Sequence, residues 1–132
     1  MMPLLKQIRA AISTPMAALP VPYRTSPNEP SFQSLRDAHW HGDWGNRPFP
    51  TALDPFTCNR FEIADFGREA LAMGIRYLGV CCGAGPHHIR SLAESVGKHP
   101  PASRYSADMS KHAYFGNDAR LKQSNRDYAG KL

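Results

Sequence analysis

Leu4, Leu5, Ile8, Ala11 and Ile12 recur at helical spacing, with Lys6, Gln7, Arg9 and Ser13 on the opposite side. That pattern predicts a short amphipathic helix from about Pro3 to Ala11. The run from Met16 to Pro22 is apolar without alternation, so it predicts a short strand buried on both faces, as in a parallel sheet. Between Tyr23 and Thr57 neither period persists, and prolines 27, 30, 48, 50 and 55 interrupt the chain. Residues 23–57 are therefore expected to form a long loop, either functional or disordered. Within it Phe32, Leu35, Trp40, Trp44 and Phe49 are available to pack back onto a neighbour.

The pattern then sharpens. Thr57 or Asn59 can cap a helix from Arg60 to Met73, whose positions Ile63, Phe66, Ala70 and Met73 share one face. Gly74 falls where a helix commonly turns left-handed and stops. Ile75 to Val80 predicts a buried strand, and Cys81-Cys82-Gly83-Ala84-Gly85 a tight loop. Pro86 suits the first position of a further helix, with Ile89, Leu92, Ala93 and Val96 on its apolar face and Gly97 at its end. Helix, strand, long loop, helix, strand, helix is the alternation of a parallel α/β fold. Residues 1–97 are expected to carry that fold, and residues 98–132 an extended basic tail with little core of its own.

Composition narrows the picture. At 132 residues the chain has room for one domain, and 42% hydrophobic residues suffice for a core. The formal net charge is +5, without a dense basic run. No apolar stretch approaches the ~20 residues of a spanning helix, which argues against a membrane protein. The N-terminus shows no secretory pattern, and three cysteines, two of them adjacent, form no disulfide framework. A reducing, cytoplasmic setting is expected.

The adjacent thiols are the main chemical candidate. Side chains of consecutive strand residues point to opposite faces, so Cys81 and Cys82 within a regular strand cannot share a ligand. At a strand's end, with Gly83 and Gly85 to permit the turn, both sulfurs can converge and supply half of a tetrahedral zinc shell at ~2.3 Å. The carboxyl ends of strands are where α/β folds build their sites. Burial as two small apolar residues and a transient redox pair are the competing readings. His87 and His88 offer metal ligation or acid–base chemistry, but read more simply as solvated first-turn residues. His39 and His41 have no partner at a recognised interval. Cys58 is read as packed or cap-adjacent rather than as a thiol activated by a helix dipole. Gly83-Ala84-Gly85 lacks a phosphate-loop pattern. Tyr105, Tyr114, Phe115 and Tyr128, among mixed charges, read as a solvated tail rather than a nucleic-acid surface.

The segment Gly74-Ile75-Arg76-Tyr77-Leu78-Gly79-Val80-Cys81-Cys82-Gly83, followed by Pro86-His87-His88-Ile89-Arg90, resembles the homocysteine S-methyltransferases, above all their betaine-dependent branch. The similarity extends through Phe49-Pro50, Leu53-Asp54-Pro55 and Arg68-Glu69-Ala70, and on into Pro100-Pro101-Ala102-Ser103. The resemblance implies an eight-stranded (β/α)8 TIM barrel with zinc at its strand ends. Cys81 and Cys82 then fall on two of three Cys ligands, the third coming from an earlier strand outside this chain. Cys58 matches no ligand position.

A complete barrel needs ~250 residues, so the expectation is a partial barrel, its last β/α units only, from a truncated or split reading frame. The implied reaction is methyl transfer from betaine or a similar donor to homocysteine, giving methionine, with Zn2+ as cofactor and this chain inactive alone. Self-association or a complementary chain would cover the open strand edges. The alternative expectation is a non-catalytic metal- or partner-binding protein.

Overall fold

The computed structural model describes residues 2–132. Its helices and strands are α1 (Met2–Ala11), β1 (Ala17–Ala18), α2 (Arg60–Ala72), β2 (Tyr77–Leu78), α3 (Pro86–Ser95) and α4 (Gln123–Ala129), with short 3-10 turns at Asp54–Phe56, Pro101–Tyr105 and Met109–Lys111. The first five stand in the order the pattern predicts. The chain divides into two compact units, residues 1–101 and 102–132.

In the first unit, β1 and β2 pair in parallel, Ala17 beside Tyr77 and Ala18 beside Leu78. Both strands are much shorter than expected. Proline explains it: Pro20 and Pro22 have no N–H to donate, so the ladder beyond β1 runs one way only. Gly79 N–H donates to the Ala18 carbonyl at 3.0 Å and Cys81 N–H to the Pro20 carbonyl at 2.8 Å, whereas the Pro22 carbonyl accepts from Cys58 N–H at 2.7 Å. Burial on both faces is also overturned. Ala18, Pro20 and Pro22 are buried while Ala17 and Leu19 are exposed, and Tyr77 keeps 68% of its surface in solvent. The continuous apolar run suggested two covered faces, but one face stays open.

The core joins Leu5, Ala18, Ile63, Phe66, Ala70, Ile75 and Leu92, with Cys58, Leu78 and Val80 packed against it. From α1 only Leu5 is buried; Leu4 and Ile8 stay exposed, as does Ile12 just beyond its end. Helices α2 and α3 lie against each other at Gly67, where any side chain would collide with Ser95 Oγ and Leu92 Cδ1. Ser91 Oγ donates to the Arg60 carbonyl at 2.6 Å across the same contact. The inward face of α3 is consequently His88 and Leu92, and Ile89, expected to be buried, is half exposed.

Helix α2 starts at Asn59, whose side-chain oxygen accepts from Phe61 N–H and Glu62 N–H at 2.9 and 3.0 Å. Glu62 returns the contact, accepting from Asn59 N–H at 2.7 Å. This reciprocal cap satisfies N–H groups that the first turn otherwise leaves open. The Arg24 guanidinium donates to both Glu62 oxygens, at 2.8 and 2.6 Å, and ties the long loop to α2. That bond, foremost, holds the Glu62 carboxyl below its ordinary 4.5. A carboxyl depressed by folding contributes stability above its unfolded value and loses it as pH falls through the folded one. Asn59→Ala is therefore expected to lower stability by about 1 kcal/mol. Urea midpoints followed by circular dichroism should also fall with acid below pH 4.5 in the wild type, and less steeply in Glu62→Gln.

Loop 23–57 is largely irregular but packed. Leu35 is buried, and Phe32 sits between Tyr23 and Phe49 with ring centroids 5.7 and 5.6 Å apart. Trp44, by contrast, is exposed.

In the second unit no described residue is fully buried. Local polar bonds organise it. Arg120 grips both carboxylate oxygens of Asp118 and, with its backbone N–H, holds that acid at about 2. Arg126 donates to the Asp118 carbonyl at 2.7 Å, and the Tyr114 and Tyr128 rings approach to 5.7 Å.

Candidate metal centre

β2 and the three residues after it carry the chain to Cys81, whose N–H is tied to Pro20. The chain then reverses. Ala84 N–H donates to the Cys81 carbonyl at 3.2 Å, and Gly83 takes φ +87°. A side chain is excluded at Gly83 for a second reason: its Cβ would run into the Tyr23 hydroxyl and ring edge. The phenol of Tyr23 therefore lies directly over the loop. Tyr23 also lines a cavity of about 480 Å³ with Val21, Pro30 and Phe32.

The turn brings the Cys81 and Cys82 sulfurs to 3.7 Å from each other, both in exposed residues and neither in a disulfide. Two ligands at ~2.3 Å from one tetrahedral ion stand about 3.8 Å apart. The pair's separation and chemistry thus fit half of a zinc shell. Among the described residues no group of three or more His, Cys, Asp or Glu is arranged to hold a metal.

The other candidates separate clearly. Cys58 is half-buried, packed on the core, and its thiol is pushed above the ordinary range by burial and then by the Glu62 charge. It stays protonated at neutral pH, as a packed residue would. His87 is exposed, and its pKa is lowered by partial desolvation and by His88, Arg90 and Arg60. His88 departs from the expectation of a solvated residue: it is 1% exposed. Its Nδ1 accepts from Gly85 N–H at 3.0 Å, and its Nε2 meets the Cys58 carbonyl at 2.8 Å. The signal for this was its place three residues after Gly85 at the start of α3, where a side chain reaches back to the capping N–H. Nothing in the sequence pattern pointed to Tyr23, because a contact across 60 positions leaves no periodic trace.

Residues 1–96 match the family model described as homocysteine S-methyltransferase. The betaine–homocysteine S-methyltransferase 1 of Pongo abelii is 44% identical over 73 residues, covering 52% of this chain and 16% of that protein. Its Danio rerio namesake is 38% identical over 95 residues, covering 64% and 22%. The S-methylmethionine–homocysteine S-methyltransferase BHMT2 of Mus musculus is 41% identical over 77 residues, covering 55% and 20%. The chain thus spans about a fifth or less of the length of these relatives. With most of its first unit inside the matched region, and the converging thiols among the matched residues, the chain belongs to the homocysteine S-methyltransferase family.

Proposed function

We propose that this chain forms the double-thiolate end of a zinc-dependent homocysteine S-methyltransferase site, as late β/α units of a TIM-type barrel. The 3.7 Å separation of the Cys81 and Cys82 sulfurs at the end of β2 carries the reading. Zinc held there would supply a Lewis acid that keeps a substrate thiol deprotonated at neutral pH. The chain's own part is to present two thiolates at fixed spacing, through the Pro20 tether and the Gly83 turn, while Tyr23 shields one side of the loop. In the reaction the homocysteine sulfur forms a bond to the donor's methyl carbon. The donor's bond to that carbon breaks, and the electron pair stays on the donor.

Betaine and S-methylmethionine, the donors in the relatives' names, both carry the methyl on a positively charged atom. A donor of that onium class is proposed here. The three free thiols suit a cytoplasmic setting. Two thiolates leave the shell incomplete, so the 132-residue chain alone is expected to bind zinc but transfer no methyl group. The test combines zinc content with methionine formation from homocysteine and either donor. Methionine production by the isolated chain overturns the incomplete-site reading, and a chain that takes up no zinc overturns the metal reading.

A further inference from the structure

Resting on the zinc reading of the thiol pair, we propose that His88 is the positioning residue that sets the spacing of the Cys81 and Cys82 sulfurs. The loop that bears them is pinned at both ends. Upstream, Cys81 N–H is tied to the Pro20 carbonyl at 2.8 Å. Downstream, Gly85 N–H donates to His88 Nδ1 at 3.0 Å, while His88 N–H donates back to the Gly85 carbonyl at 3.0 Å. The ring is in turn fixed from behind. Its Nε2 faces the Cys58 carbonyl at 2.8 Å, beside the cap of α2.

The partners dictate the tautomer. A backbone N–H can only donate and a carbonyl can only accept, so Nδ1 carries the lone pair and Nε2 the hydrogen. With both nitrogens engaged and the ring 1% exposed, His88 has no lone pair to offer a metal. Its effect on the site must pass through the loop. Between the two pins lie Cys82, Gly83 and Ala84; apart from the long 3.2 Å bond from Ala84 N–H to the Cys81 carbonyl, Gly83 at φ +87° gives the turn little intrinsic stiffness. Removing the downstream pin lets the Cys82 sulfur leave its place beside Cys81, whereas the upstream pin keeps Cys81 in position.

The test uses the whole chain and two probes. One is phenylarsine oxide, which needs no metal: its oxygen leaves as water with the two thiol protons as two As–S bonds form, so it reads sulfur convergence directly. The other is Co2+, whose sulfur-to-metal charge-transfer band reports how many thiolates bind each ion. In His88→Leu, checked for folding by far-UV circular dichroism, capture of the arsenical and Co2+ affinity should each weaken about tenfold. The charge-transfer intensity per bound ion should fall towards half, as the Cys82 thiolate stays on the ion only part of the time. His88→Gln should recover both, because a glutamine at this position can accept from the Gly85 N–H.

Wild-type behaviour of a folded His88→Leu chain overturns the proposal. Should that variant not fold, Gly85→Pro removes the same N–H, and wild-type capture by it is equally fatal. Arsenical capture that depends on His88, in a chain that binds no Co2+, keeps the positioning role and removes the zinc reading. Co2+ binding indifferent to His88 does the reverse. A wild-type chain that fails to capture the arsenical overturns both.

Discussion

Cys81→Ser and Cys82→Ser are each expected to lower zinc affinity by about 100-fold or more, while Cys58→Ser leaves it unchanged. A structural zinc with four ligands is worth about 10–16 kcal/mol at neutral pH, so one ligand's share is on the order of 3 kcal/mol, or roughly two powers of ten. Serine cannot substitute, because its hydroxyl stays protonated and its oxygen is a poor match for a borderline-soft ion. The two sulfurs at 3.7 Å act together, so the double variant should lose little beyond either single one. Cys58 makes the contrast sharp: its thiol is raised by burial and by Glu62, and its packing is against the core. Competition with a chromophoric chelator measures the four variants beside the wild type. Equal affinity in Cys81→Ser and the wild type would end the assignment.

Ile75→Ala is expected to be the most damaging single change to the first unit, at about 2–5 kcal/mol. Ile75 has no exposed surface, and its N–H donates to the Ala70 carbonyl at 3.1 Å, just after the left-handed Gly74 at φ +79°. The residue lies between the end of α2 and the start of β2, so the cavity left by alanine lies where neither element can easily collapse. Against a typical total of about 5–15 kcal/mol that loss is a large fraction. Urea unfolding should show a lower midpoint with little change in slope. An unaltered midpoint would mean that Ile75 is not part of a continuous core.

Much of the local structure was legible before any coordinates. Thr57 or Asn59 marks a helix start, of which the structure uses Asn59, Gly74 and Gly97 mark ends, and the 3.6-residue period of Ile63, Phe66 and Ala70 marks a buried face. These are short-range signals carried by backbone preference and by one helical turn. The strand lengths were less legible. Apolar character in residues 16–22 announces an extended segment, but pairing depends on a partner 60 residues away and on where the prolines, which have no N–H to donate, fall along the strand. Ile89 was misread for a related reason: the period identifies an apolar stripe without saying how far the neighbouring helix covers it.

By itself, the sequence determined that two adjacent thiols end an extended segment before a glycine turn, and its motif tied that loop to the homocysteine S-methyltransferases. A thiol pair and a glycine are local covalent facts, and they survive whatever the rest of the chain does. Only the tertiary structure decided that the sulfurs point the same way, that Tyr23 covers Gly83, and that His88 turns inward to hold the loop. Each of these depends on which surfaces meet, and hydrogen bonds between positions 30 residues apart become definite only when the helices that carry them have packed.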